Sequence, residues 1–137
     1  ERILGSGLSD EEAYVVVRGP LVSALLNAYP YNSGHLLVLP NRAVPALAGL
    51  TEDEESALWR TVRLGVSAIE TAYAPEGVNI GLNLGRAAGA GVPEHLHVHC
   101  LPRWSGDTNF MTAVAETRVL PEALGVTWRR LVDAWPV

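Results

Sequence analysis

Three of the four histidines stand in the run Glu94-His95-Leu96-His97-Val98-His99-Cys100-Leu101-Pro102-Arg103-Trp104. In an extended strand, residues two apart share a face, which predicts His95, His97 and His99 on one side and Leu96, Val98 and Cys100 on the other. An imidazole with the ordinary pKa of about 6.5 is largely neutral and nucleophilic at neutral pH, and a hydrogen bond at one ring nitrogen selects which nitrogen reacts. Three such rings suit nucleophilic attack on an electrophile, with neighbours that orient the ring, deliver a proton and hold developing charge. An isolated histidine is ordinarily a core or surface residue; the repeated spacing closing on Pro-Arg is what argues for chemistry. A metal site is the chemical rival, since histidines at i and i+2 can reach one cation. No Asp or Glu stands between His99 and Asp107, and the lone cysteine falls on the opposite face, so no metal is assigned to the triad.

The elements that must position these rings form an α+β pattern. Residues 13–18 and 22–26 are apolar runs flanking a Gly19-Pro20 turn, and Asn27 ends the second. A loop through Tyr29-Pro30-Tyr31-Asn32-Ser33-Gly34 leads to a strand over residues 35–40 that starts on His35. A short turn of helix is expected over residues 45–48. Thr51-Glu52-Asp53-Glu54 is a capping box opening a helix of about six turns, with Leu58, Val62, Gly65, Val66, Ile69 and Tyr73 on its buried stripe and Pro75-Glu76-Gly77 at its end. Residues 78–84 alternate as a strand with one buried face, leaving Asn83 on the open face. The glycine-rich loop Gly85-Arg86-Ala87-Ala88-Gly89-Ala90-Gly91 can bring backbone N–H groups close to an anion, against the plain reading of a hairpin connection. A short extended piece over residues 110–114 and a last helix over residues 121–135 complete the pattern.

With 137 residues the chain is expected to be one domain, residues 1–137, whose first ten residues form a polar, flexible lead. The net charge of −5 argues against a broad nucleic-acid or anionic-membrane surface, while local arginines can still hold a small phosphate ligand. No apolar run approaches a membrane span and no signal-peptide pattern opens the chain, so a cytoplasmic protein is expected. One cysteine excludes a disulfide framework, and Cys100 reads as a small buried residue.

His95-Leu96-His97-Val98-His99-Cys100-Leu101-Pro102 resembles the signature of the histidine triad family of nucleotidyl transferases and nucleotide hydrolases. The likeness extends upstream to Asn27, Gly34, His35, Asn83, Gly85 and Gly89. Downstream, Arg103-Trp104-Ser105-Gly106-Asp107-Thr108-Asn109-Phe110-Met111 resembles the diadenosine tetraphosphate phosphorylase and hydrolase-like branch. The resemblance implies about five strands in a mainly antiparallel sheet, one long and one C-terminal helix, and a homodimer. It implies His97 as the nucleophile that forms a nucleotidyl-histidine, His99 at the reacting phosphate and leaving oxygen, and His95 with His35 as the ring-orienting shell. Asn27 resembles the ribose-binding residue, beside the plain reading of a turn-forming Asn. Asn83 and the backbone of Gly85, Gly89, Ala90 and Gly91 would contact phosphate oxygens. Arg103 is open between phosphate binding and a structural ion pair, and Trp104 between stacking on the base and packing at the dimer interface.

Some members carry a zinc-binding Cys-x-x-Cys near the N-terminus; this chain has none. No cofactor is expected beyond magnesium brought by substrate. Phosphorylase-like members also place a hydroxyl-bearing Gly-Ser step where this chain has Ala90-Gly91, and a lost hydroxyl donor weakens phosphate binding by about 1 kcal/mol. Phosphorolysis of diadenosine tetraphosphate to ATP and ADP is the expected reaction. Hydrolysis with water as acceptor and release of AMP is the alternative, and a nucleotide-binding sensor with little turnover is the alternative of another class.

Overall fold

The computed structural model describes residues 7–28, 33–107 and 122–136. Five strands, β1 (Val15–Arg18), β2 (Val22–Leu26), β3 (Leu36–Pro40), β4 (Gly77–Gly81) and β5 (Val98–Arg103), pair antiparallel in the order β1-β2-β3-β5-β4. The helix α1 (Glu52–Tyr73) packs across β2, β3 and β5, and α2 (Leu124–Ala134) packs on α1 and β1. This is the α+β architecture that the alternating and helical periods predict.

β2 is buried along its whole length, because it lies inside the sheet under the helices. Its Ser23 is satisfied there by donating to Asn41 Oδ1 at 2.7 Å. On β5 the burial alternates: Val98, Cys100 and Pro102 point into the core, while His99, Leu101 and Arg103 share the other, partly open face. Leu36, Val38, Val98 and Cys100 are fully enclosed against Leu58, Ile69 and Leu131 of the helices. Burying a side chain of this size contributes about 1.5–3 kcal/mol, which is what holds the histidine-bearing strand in register. Gly65 lets α1 approach that layer closely, since a Cβ there would lie 2.7 Å from Leu36 Cδ2.

α1 begins where the capping box predicts: Thr51 Oγ1 accepts from the Glu54 N–H at 3.1 Å and Glu54 Oε1 accepts from the Thr51 N–H at 2.9 Å. It ends at a left-handed Ala74 just before Pro75. α2 is docked by Trp128, whose indole Nε1 donates to Val15 O at 2.8 Å, and by a polar knot ahead of its first turn. In that knot the Glu122 carboxylate accepts from Tyr73, Thr127 and Arg130, and the Glu122 N–H donates to Ser33 Oγ.

Several boundaries differ from the expected ones. The lead is tied down near its end: Ser9 and Glu12 cap one another reciprocally, and Asp10 pairs with Arg18 at 2.8 Å. The turn before α1 is a 3-10 turn at Leu47–Gly49 rather than over residues 45–48. β4 is shorter than expected and the expected face is only half covered: Val78 and Leu82 pack partly buried against the core, while Ile80 is 49% exposed and Leu84 41% at the outer edge of the sheet. α2 starts at Leu124, and the extended piece expected over residues 110–114, like Pro121, lies outside the described residues. Replacing Thr51 by Ala removes a bonded cap, so urea denaturation is expected to show a loss of about 1 kcal/mol; an unchanged midpoint would refute the cap's contribution.

Candidate functional site

The rings of His35, His97 and His99 gather where β3 meets β5, although only His99 lies within a strand. His35 immediately precedes β3, and Leu37 on β3 is directly opposite His99. His35 is buried, and its Nε2 is 2.9 Å from His99 Nδ1. The His97 ring stands edge-on to His99, with centroids 4.9 Å apart, closer than the strand repeat of about 7 Å between alternate residues. This approach follows from the chain path, since His95 and His97 enter β5 from the preceding turn.

The hydrogen bonds assign protons. His97 Nδ1 lies 3.0 Å from the His95 carbonyl oxygen, an acceptor only, so the Nδ1–H donates and Nε2 keeps the free lone pair. His95 departs from the expected common face: it is buried, and its Nε2–H donates to Pro40 O at 2.7 Å, at the end of β3. It therefore acts on His97 through its main-chain oxygen. The Leu96 N–H donates to Val44 O at 2.8 Å, which fixes the same stretch a second time. These three carbonyls, of His95, Pro40 and Val44, escaped the sequence reading because a main-chain acceptor leaves no mark on residue type.

Burial, followed by the neighbouring His99 and His97 rings, pushes His35 down to about 4. Burial and His97 likewise lower the His99 pKa. Both rings are neutral at pH 7, so the bond between them joins one N–H to one lone pair. Behind them, burial pushes the Cys100 thiol up to about 12, which makes it the inert core residue that its face predicts.

The other expected residues divide. Asn27 joins the cluster: its Nδ2 lies 3.4 Å from His35 Nδ1, and its backbone N–H donates to His35 O. Asn83 lies two residues beyond Gly81, the β4 residue paired with His99, and its Nδ2 is 3.9 Å from where a Gly89 Cβ would stand. Gly85 and Gly89 have φ of +82° and +94°, which suit glycine at the two ends of a short 3-10 turn. The N–H groups of Ala88 and Ala90 donate to Gly85 O, and that of Gly89 to Arg86 O. These three N–H groups thus serve the loop itself, which narrows the phosphate cradle expected there, while Gly91 is exposed.

Arg103 stands apart from the rings, four residues and about 13 Å along β5 from His99. Its guanidinium bonds both Asp107 carboxylate oxygens and Asn79, which fits the structural ion-pair reading. Trp104 follows the last strand residue, part-buried, with its N–H bound to Asp107 Oδ2. Among the described residues no three His, Cys, Asp or Glu are grouped to hold a metal ion.

A depressed histidine pKa makes stability depend on pH with a definite sign. Between about 6.5 and about 4 the unfolded chain binds a proton that folded His35 refuses. Stability is therefore full above pH 6.5 and declines as pH falls through that window. Urea midpoints measured from pH 7.5 to 4.5 are expected to drop, with a shallower drop in His35→Asn; the same slope in the variant would refute the assignment.

Comparison with known proteins agrees with this arrangement. A HIT domain model matches residues 9–106. The AP-4-A phosphorylase of Mycobacterium tuberculosis is 48% identical over 128 residues, covering 93% of this chain and 66% of that protein. The asymmetrical bis(5'-nucleosyl)-tetraphosphatase of Schizosaccharomyces pombe is 42% identical over 93 residues, covering 68% of this chain and 50% of that protein. The chain thus spans between half and two thirds of the length of these curated relatives. A hypothetical histidine triad nucleotide-binding protein from Sulfolobus tokodaii superposes with a TM-score of 0.77 at 26% identity, covering 97% of this chain and 88% of that one. With the triad motif inside the matched residues and two of its rings, His97 and His99, in contact beside His35, the chain belongs to the HIT domain family.

Proposed function

We propose that this chain is a nucleotidyl transferase that cleaves diadenosine tetraphosphate by phosphorolysis, giving ATP and ADP through a nucleotidyl-His97 intermediate. The observation that carries the proposal is the His95 carbonyl holding His97 Nδ1–H, which leaves Nε2 as the nucleophile. Nε2 attacks the α-phosphorus of one adenosine half, the bond to the α–β bridging oxygen breaks, and ATP leaves. For His99 to supply a proton from Nε2, its Nδ1 must accept from His35 Nε2–H, and the 2.9 Å contact permits that direction. Inorganic phosphate then attacks the adenylyl group and releases ADP, regenerating His97. The 48% identity to an AP-4-A phosphorylase supports this branch, and Ala90-Gly91 in place of a Gly-Ser step leaves hydrolysis as the competing outcome. Asn27 and Asn83 are the side chains that we assign to substrate, and the chain is read as cytoplasmic.

We further propose a homodimer formed through α1 and β4. A groove of about 390 Å³ lies between them, lined by Trp59, Val62, Val66 and Ile80 among others, with Trp59 46% exposed. The outer edge of β4 adjoins this groove and can pair with its counterpart in a second copy.

Two measurements test these readings. Chromatography of products with added phosphate is expected to show ADP and ATP, and His97→Ala is expected to abolish turnover while retaining the fold; AMP plus ATP formed at a rate indifferent to phosphate would assign a hydrolase instead. Light scattering is expected to give twice the chain mass, with Trp59→Glu or Ile80→Glu shifting it to the monomer; an unshifted dimer would place the interface elsewhere.

A further inference from the structure

The last residue of β3 and the segment that follows it supply the two acceptors that fix the approach to His97. Pro40 O holds the His95 ring and Val44 O holds the Leu96 N–H. Between those two carbonyls sits Arg42, whose Nε and Nη2 donate to Glu54 Oε2 and Oε1 at 3.1 and 2.7 Å, while Nη2 also reaches Gly49 O at 2.7 Å. Glu54 is 4% exposed and is the same residue that closes the α1 capping box. Hydrogen bonding to Arg42, together with the Thr51 N–H, holds its carboxyl down at about 2, so the pair stays charged throughout the working range. Val44 is clamped in turn, since a Cβ on Gly49 would lie 2.8 Å from its Cγ1.

We propose that Arg42 and Glu54 are a positioning pair for the nucleophile, bolting the 40–44 segment to the start of α1 so that the His95 carbonyl is aimed at His97 Nδ1. The chain of contacts runs from Glu54 to Arg42, from the main chain around Arg42 to His95 and Leu96, and from His95 O to the His97 ring. Neither charged group lies among the reacting atoms. This inference rests on His97 as the nucleophile for its kinetic readout and has a second readout that is independent of turnover.

The test compares Glu54→Gln and Arg42→Gln with Thr51→Ala, which removes a cap from the same turn but keeps the ion pair. Loss of aim is expected to lower kcat about tenfold or more with KM little changed, and ring 15N shifts are expected to show His97 leaving its single Nδ1–H tautomer. Thr51→Ala is expected to lose stability yet keep both kcat and tautomer. Arg42→Lys, which retains charge with one donor group, is expected to fall between wild type and Arg42→Gln and serves if the Gln variants do not fold. Unchanged kcat and tautomer in the charge-removing variants would overturn the proposal, as would equal losses in Thr51→Ala. If no nucleotide is turned over, the tautomer alone decides, and the failure then belongs to the functional reading.

Discussion

The site depends on the pairing of β3 with β5, which is three residue pairs long: Leu36 with Cys100, Leu37 with His99 and Val38 with Val98. That short ladder is held from behind by fully buried aliphatic side chains and from in front by the hydrogen bond between His35 and His99. A slip of one residue would turn His99 into the core and Cys100 outward, so the apolar face and the chemical face specify one another. The register that buries the most hydrocarbon is also the one that joins the two imidazoles.

The histidine cluster sets desolvation against reactivity. Enclosing His35 and His99 disfavours their charged forms, and a buried ring nitrogen without a partner would cost about 1–3 kcal/mol. The fold meets both demands by bonding ring to ring and ring to carbonyl, so that His35 and His99 are neutral and the His97 and His95 rings are held by main-chain oxygens before any ligand arrives. Preorganisation of this kind removes a reorientation step from the reaction coordinate.

Much of this arrangement was legible in the sequence, for local reasons. The capping box at Thr51 and Glu54, the buried stripe of α1 and the inward face of β5 are patterns with short periods, and the structure follows them. The failures also have physical causes. β4 alternates like a half-buried strand, but on the outermost strand only Val78 and, just beyond it, Leu82 reach the core, so Ile80 stays exposed. His95 shares the spacing of its neighbours but lies in the turn before the strand, where alternation no longer governs direction. Glu54 reads locally as a cap, and its bond to Arg42, twelve residues upstream, falls outside any local pattern. Arg103 is adjacent in sequence to the triad motif, yet Asp107 and Asn79 occupy its guanidinium.

The hydrogen bond between His35 and His99 spans 64 residues, and that between His95 and Pro40 spans 55. Contacts so distant along the chain form only after the loop-closure entropy of the intervening helix and outer strand has been overcome. During synthesis, β1, β2, β3 and α1 all emerge before the residues of β5 that complete the site. Assembly of the histidine cluster is therefore a late event in the folding of the chain, and its appearance reports that the centre of the sheet has closed.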